Sequence, residues 1–241
     1  MAPIPGPLPP PPDDSGQAAW GSQPIYSRAD DVAFAKIAAA ASVAADASGW
    51  THASAHLNHY LDNTGKPLTI DADAMLRDVP KANTEANSVA QTEIRRITTD
   101  VSAAQNYDNP VQFQSQWSGF YITQALSEDW FFAMGGIQLS VTGVVTVHKP
   151  AEGAEPSITV EYKVHVHDRY NWDGDKSTKI AGVEVSDKRM GALHTAGLAR
   201  EYDIDGSSGT RRYEGTVPSN GRMNLPGPPG GRDGERSDPT R

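Results

Sequence analysis

The sequence predicts an α+β fold, in which N-terminal helices are followed by an antiparallel β-sheet with one packed helix, between disordered Pro/Gly-rich tails. Apolar side chains recur every three or four residues over 29–104 and alternate strictly with polar ones after Pro110, which indicates helices first and strands second. Pro and Gly are concentrated at the two ends of the chain, which predicts the tails. The expected organisation is a tail, a helical part, a sheet part containing one helix, and a second tail: 1–28, 29–104, 105–217 with a helix at 186–200, and 218–241.

The helical part is expected to contain three helices. The first covers about 30–61, where an Ala-rich run favours helix and a Gly and a Pro follow as a stop signal. The second begins near Asp71, whose carboxylate suits the positive end of a helix, and it ends at Pro80, which cannot continue it. The third covers about 83–104, where Val and Ile recur at helical spacing.

The sheet part is expected to begin with an alternating stretch at 111–116 and to continue with a β-hairpin. Residues 137–147 and 158–166 alternate between apolar and polar side chains, and a short loop containing proline joins them. The aliphatic side chains of both strands fall on one face of the hairpin. His165 and His167 fall on the opposite face, which we expect to be solvated.

Three shorter strands and one helix complete the sheet part. Ser186 is a favourable N-cap for the helix at 186–200. The strands are expected at 180–185, 202–204 and 212–217.

The first tail is dominated by proline. Pro3, Pro5, Pro7 and the run 9–12 favour a polyproline II conformation, because proline fixes φ and has no amide donor. Such a segment serves as a ligand for a proline-reading domain or as a wall-spanning spacer, or it is simply a solvated linker.

The composition excludes several classes of function. A net charge of -9 disfavours nucleic-acid binding, because an acidic chain repels phosphate backbones. The chain has no cysteine, which excludes disulfides, Cys-ligated zinc and thiol catalysis. No apolar run approaches the ~20 residues of a transmembrane helix, and no Sec-type signal is visible. We therefore expect a soluble protein, cytoplasmic or exported by a signal-less route, with a protein partner that the sequence does not identify.

The densest polar cluster covers residues 165–175, where a predicted strand runs into a loop. A carboxylate beside a tyrosine and a histidine can perform acid–base chemistry, so Asp168, Tyr170 and His194 are the candidate catalytic residues. In the alternative interpretation, Tyr170 and Trp172 only anchor the loop by burying their rings. The serine-hydrolase, zincin and P-loop motifs are absent from the sequence.

Two histidine groups have the spacing of metal ligands. His165 and His167 share a strand face and are the candidate metal ligands, but zinc requires a third ligand such as His194 or Asp173. The second group, His52, His56 and His59, is predicted to lie on the solvent side of the first helix. A solvated surface explains either group without a ligand, and the sequence predicts no other cofactor.

Three stretches of the sequence look familiar together. They are residues 50–80 with the strings LNHYL and MLRDVP, residues 168–177 (DRYNWDGDKS) and residues 193–206 (LHTAGLAREYDIDG). These stretches resemble uncharacterised proteins of high-GC Gram-positive bacteria, some of which are associated with export or polymorphic-toxin systems. This resemblance implies no established activity.

A more distant resemblance is to the colicin M group, which are phosphodiesterases that act on the peptidoglycan precursor lipid II. Their signature is Asp-x-Tyr-Asp followed by His-Arg. Asp168 and Tyr170 match it, whereas Asn171 replaces the second Asp and no His-Arg pair follows. The resemblance implies hydrolysis at this loop, while the missing charges are those that would bind a metal or activate water.

Two hypotheses follow, and the sequence leaves open whether the protein is an enzyme. In the first, it is a non-enzymatic binding or effector-associated module of an exported or envelope-linked bacterial system. In the alternative, it is a metal-assisted hydrolase, a toxin-like phosphodiesterase that acts through the Asp168–Tyr170 loop with a divalent metal.

Overall fold

The computed structural model of the chain describes residues 2–12, 16, 18–172, 177–180, 183–218 and 221–229. These residues form helices followed by a sheet and further helices, which confirms the predicted α+β class. The helices are α1 (Ala29–Ala47), α2 (Thr51–Leu61), α3 (Ala72–Asp78), α4 (Pro80–Ala104), α5 (Glu128–Ala133) and α6 (Asp187–Thr195). No helix within the described ranges is both long and apolar enough to cross a membrane.

The helical part differs from the prediction at one break. The single helix expected over 30–61 is divided into α1 and α2, because Gly49 adopts a φ of 83° that ends α1. Pro80 ends the next segment as expected, but it also serves as the first residue of α4, where its missing N–H costs nothing.

The strands form a seven-stranded sheet and a separate two-stranded hairpin. The order of the large sheet is β1-β8-β5-β4-β2, with β3 also paired to β4 and β9 also paired to β5. β1 runs parallel to β8, so the sheet is mixed, whereas we predicted a purely antiparallel sheet. The strands are β1 (Leu68–Ile70), β2 (Pro110–Gln114), β3 (Ser118–Tyr121), β4 (Gly136–Val147), β5 (Ser157–Tyr170), β6 (Ser177–Ile180), β7 (Val183–Ser186), β8 (Tyr202–Ser207) and β9 (Arg211–Thr216).

The long strands β4 and β5 form the predicted hairpin at the centre of the sheet, in register from Gln138 opposite His167 to Val147 opposite Ile158. Their aliphatic face packs against α4 in the main hydrophobic core. A second cluster surrounds the far end of β5 and β8, where α1, α2 and α6 contribute Phe34, Tyr60 and Leu193. The end of β5 therefore lies between two parts of the core.

Part of each predicted tail packs on the fold. Residues 2–12 cross the sheet, and in the second tail the Met223 and Leu225 side chains are buried in the main core. Arg95 also donates hydrogen bonds to the carbonyls of Pro218 and Gly221. Composition missed these contacts because a few apolar anchors and carbonyl acceptors suffice to hold a Pro/Gly-rich segment. Residues 219–220 and 230–241 lie outside the described part of the chain.

A carboxylate from α5 fixes the start of α2. Asp129 Oδ1 accepts from the Ala53 N–H at 2.7 Å, and Oδ2 accepts from the His52 N–H at 3.2 Å. These are donors of the first helical turn, which lack partners within the helix. We expect Asp129→Ala to lower the free energy of unfolding by about 1–2 kcal/mol, measured by urea denaturation. Asp100→Ala, at an exposed position, is the control, and an equal effect of the two changes would contradict the capping role.

Candidate functional site

A polar pocket lies where β5 extends beyond the end of its pairing with β4. The two strands pair as far as His167, and β5 continues to Tyr170 with β8 paired along its other side. The open edge faces a pocket of about 470 Å³, which we call the end pocket. It is lined by Pro11, Pro12, Met134, Gly136, Gln138 and residues 167–171. The loop predicted as the site therefore does border a cavity.

The alternation of β5 separates the predicted site residues onto two faces. His165, His167 and Arg169 point to the polar face of the sheet, whereas Asp168 and Tyr170 follow Val166 on the apolar face. Only at the strand end do the two sets meet, because His167 and Asp168 both line the end pocket. His165 and His194 are not among the residues that line it.

Tyr170 is buried in an aromatic cluster. Its ring stacks on Tyr202 with centroids 5.1 Å apart, and it also contacts Tyr60 and His56. Burial raises the pKa of the Tyr170 hydroxyl well above its usual value, so the group stays protonated. The protonated hydroxyl can donate a hydrogen bond, but it cannot act as a base near neutral pH. Its catalytic role remains a prediction.

Carboxylates of β8 pair with the basic side chains of the polar face. His167 Nδ1 lies 2.9 Å from Asp205 Oδ1, and Arg169 donates to Asp203 Oδ1 at 2.6 Å. These are register partners, because His167 stands opposite Asp205 and Arg169 opposite Asp203. Sequence reasoning missed both acids, although the alternating string 201–205, with an acid at every second position, was a usable signal.

His194 is joined to this row through Glu201. Its Nδ1 accepts the Glu201 backbone N–H at 3.2 Å, and its Nε2 lies 3.9 Å from Glu201 Oε2. The same carboxylate oxygen lies 3.6 Å from Arg169. Burial, followed by the nearby Arg169 and Arg200, lowers the pKa of His194. His194 can therefore position Glu201 and, through it, Arg169; its role as a catalytic residue remains a prediction.

His165 is enclosed by hydroxyl groups and not by metal ligands. Its Nε2 lies 2.9 Å from Thr142 Oγ1 and its Nδ1 lies 2.8 Å from Ser207 Oγ. Burial, together with the nearby Lys163, lowers its pKa to about 4, so the ring is neutral at pH 7. The face it occupies is covered, whereas we expected it to be solvated, and His165 is only 4% exposed.

The described residues do not fit a divalent metal. No group of three His, Asp or Glu side chains that could hold one occurs within the described ranges. Of the predicted ligands, His165 contacts the hydroxyls of Ser207 and Thr142, and His167 contacts the carboxylate of Asp205. Asp173, the other ligand considered, lies outside those ranges. The metal stays a prediction.

The prediction that His52, His56 and His59 lie on the solvent side of the first helix is partly wrong. His56 is 2% exposed and lies against Trp130, Tyr170 and Tyr202. Burial lowers its pKa to about 4. The helical pattern of the sequence could not reveal this, because α5 and β8 cover α2 from distant parts of the chain.

Comparison with known proteins finds no matching family model and no matching curated protein. The resemblance to proteins of high-GC Gram-positive bacteria therefore remains a prediction. The structural neighbours include colicin M-like bacteriocins. PaeM, a colicin M-like bacteriocin of Pseudomonas aeruginosa, is 17% identical over 71% of this chain and 51% of its own, with a TM-score of 0.36.

Syringacin M of Pseudomonas syringae pv. tomato is a second such neighbour. A truncated form is 14% identical over 68% of this chain and 58% of its own, with a TM-score of 0.32. The crystal structure of the bacteriocin is 18% identical over 67% of this chain and 50% of its own, with a TM-score of 0.31. This chain thus spans about half the length of these neighbours. TM-scores this low carry no argument about function.

Proposed function

We propose that the protein is a toxin-like, exported hydrolase that cleaves a phosphate ester in the end pocket. The observation that supports this most is the His167–Asp205 pair at 2.9 Å beside Arg169, with His167, Arg169 and Asp168 lining one pocket. A histidine oriented by a carboxylate is the usual form of a general base, and a guanidinium suits phosphoryl oxygens.

The geometry supports hydrolysis by an activated water. The Asp205 carboxylate accepts the Nδ1–H of His167, which leaves Nε2 as the proton-accepting nitrogen. Nε2 takes a proton from water, the water oxygen bonds to phosphorus, and the bond from phosphorus to the leaving oxygen breaks. The imidazolium then returns its proton to the leaving oxygen, while Asp205 stabilises the charged ring. Arg169, held by Asp203 and Glu201, stabilises negative charge on the phosphoryl oxygens.

The substrate class follows from the resemblance to the colicin M group. That resemblance rests on Asp168 and Tyr170, and both residues line the end pocket. We therefore propose a lipid-linked peptidoglycan precursor, whose phosphate ester is the bond cleaved. Asp168 supplies the motif carboxylate, and Tyr170 a protonated hydroxyl.

Turnover by point variants tests this proposal. The full chain is incubated with an isoprenyl-linked peptidoglycan precursor in detergent micelles, with and without Mg²⁺, and release of the soluble headgroup is measured by mass spectrometry. We expect His167→Gln to lower kcat by about 100-fold or more, and Asp168→Asn to lower it as well. His148→Gln is the matched control, because His148 also bonds a carboxylate, that of Asp108, but away from the pocket. Equal turnover of all three variants and the native chain would overturn the proposal.

A non-enzymatic binding module is the second candidate. It is favoured by Asn171, which carries no charge where the colicin M signature has its second Asp, and which lines the end pocket. In this case the native chain would retain the precursor on a filter or in a gel-shift of micelles without releasing headgroup. Arg169→Gln would then weaken retention, and the same assay thus separates the two candidates.

A further inference from the structure

The N-terminal segment, residues 2–12, is held across the polar face of the sheet by a row of side-chain donors. Each donor bonds a backbone carbonyl of the segment. The contacts are Gln112 Nε2 to Pro3 O at 2.6 Å, Thr142 Oγ1 to Pro5 O at 2.8 Å, Gln114 Nε2 to Gly6 O at 2.7 Å and Trp117 Nε1 to Leu8 O at 2.9 Å. The segment lies over the face of the sheet and is not an added strand of it.

The donors follow an extended segment. Those on and after β2 run from Gln112 to Trp117, while the carbonyls they meet run from Pro3 to Leu8, so both advance by five positions. The step is not uniform, because Gln112 and Gln114 are two positions apart whereas Pro3 and Gly6 are three apart. The row of donors therefore suits an extended conformation such as polyproline II, which rises about 3.1 Å per residue.

The chemistry of the donors also suits proline. Proline has no N–H, so a carbonyl oxygen is the only backbone polar group that each proline of the segment offers. In these four contacts every group on the sheet side donates, whether amide, hydroxyl or indole. A proline-rich chain is already extended, so it loses little conformational entropy on binding.

Buried groups fix the central donor. Because the Thr142 hydroxyl donates to Pro5, it accepts from His165 Nε2–H, and His165 Nδ1 in turn accepts from the Ser207 hydroxyl. This line of three hydrogen bonds orients Thr142, which is itself buried, toward the segment. The face is thus organised for an acceptor at the Pro5 position.

The segment itself is loosely packed. Residues 2–12 include no buried side chain, and most are exposed. Cavities of about 550 and 330 Å³ flank the segment, the first beside Lys163 and the second beside Trp117 and Asp205. Hydrogen bonds to carbonyls hold it more than apolar burial does, so an equivalent peptide can replace it.

We propose that the polar face of the sheet is a recognition groove for proline-rich peptides in the polyproline II conformation, which the chain's own N-terminal segment occupies in the absence of a partner. The sequence predicts that residues 1–28 could be a ligand for a proline-reading domain. In this proposal the sheet of the same chain is that domain. Binding of a peptide in the groove does not require hydrolysis in the end pocket. Pro11 and Pro12 also line that pocket, so exchange of the segment changes its wall.

Peptide titration followed by NMR tests the groove. In a full-length chain carrying Pro3→Ser, Pro5→Ser and Pro7→Ser, the indole N–H signal of Trp117, assigned with Trp117→Phe, is expected to move away from its native position. A synthetic peptide of residues 2–12 is then expected to restore the native signal with a saturable dissociation constant. On the native chain the tethered segment competes at an effective concentration of about millimolar, so the peptide binds there much more weakly.

Matched variants identify the recognising groups. We expect Gln114→Ala and Thr142→Val each to weaken binding of the peptide by about fivefold or more. Gln116→Ala is the control, since Gln116 is exposed and lies outside the row of donors. A peptide with every proline replaced by alanine is expected to bind more weakly, because it must be ordered first.

Three results would overturn the proposal. They are a Trp117 signal unchanged by the tail substitutions, failure of the peptide to restore it, and equal binding of the proline and alanine peptides. If the triple variant does not fold, a peptide carrying a paramagnetic tag is added to the native chain instead. Broadening of the Trp117 signal by an excess of this peptide then supports exchange, and its absence contradicts it. A native chain that elutes as a dimer dissociated by the peptide would assign the groove to a second copy and overturn occupation within one chain.

Discussion

Lowering the pH from 7 to 4 is expected to remove several kcal/mol from the free energy of unfolding, because two imidazoles are buried in neutral form. Burial lowers the pKa of both His56 and His165 from 6.5 to about 4. Between these values the unfolded chain binds protons that the folded chain excludes, so stability falls as the pH falls. The stabilisation that comes from the two neutral rings is fully present above about pH 6.5 and is lost as the pH falls to about 4. Each histidine contributes about 3 kcal/mol, at about 1.4 kcal/mol per pH unit.

Urea unfolding at pH 7, 6, 5 and 4 measures this effect, and histidine variants isolate it from the titration of carboxylates. His56→Gln and His165→Gln should each flatten the dependence of stability on pH by about half of the histidine share. His148→Gln, at a site 41% exposed, is the control. If the single variants keep the full native slope between pH 6.5 and 5, the two buried rings are not responsible for it.

His165 shows how much of the fold could be predicted from the sequence. The hairpin of β4 and β5 was predictable, because strict alternation over a long run has one interpretation, and it placed His165 on the face opposite the aliphatic side chains. What covers that face was not predictable. A high proline content shows that the segment has few N–H donors. It does not show where the segment binds, because the carbonyls that Thr142 and Gln114 contact are present in every residue.

The candidate site was predictable to the same extent. The motif around Asp168 and Tyr170 does end a strand beside a pocket, as its polar composition after an alternating run indicates. The acids that complete it, Asp203 and Asp205, come from β8, and the register between β5 and β8 depends on folding of the intervening chain. Alternation also explains why His165 and Asp168 point to opposite faces, which the clustering of their letters in the sequence conceals.

Loss of the carboxylate that pairs with a buried arginine between the helices and the sheet should strongly destabilise the fold. Arg211 on β9 is 2% exposed, and it is held by α3 and α4 through Asp73 at 3.4 Å and Asn83 at 2.7 Å. Asp73 also accepts the Gly209 N–H at 2.6 Å. We expect Asp73→Ala to lower the free energy of unfolding by about 3–5 kcal/mol, because the guanidinium stays buried without its counter-charge. Urea denaturation at pH 7 measures the loss.

The double variant Asp73→Ala, Arg211→Met distinguishes charge burial from lost packing. Once the guanidinium is gone, no buried charge is left uncompensated, so the double variant should be more stable than Asp73→Ala alone. Its unfolding should remain a single transition, since the helical part and the sheet share one core through Tyr162 and α4. Strictly additive losses would show that the two side chains do not act as a pair. In that case the attachment of α3 to the sheet would not depend on the charge of Arg211.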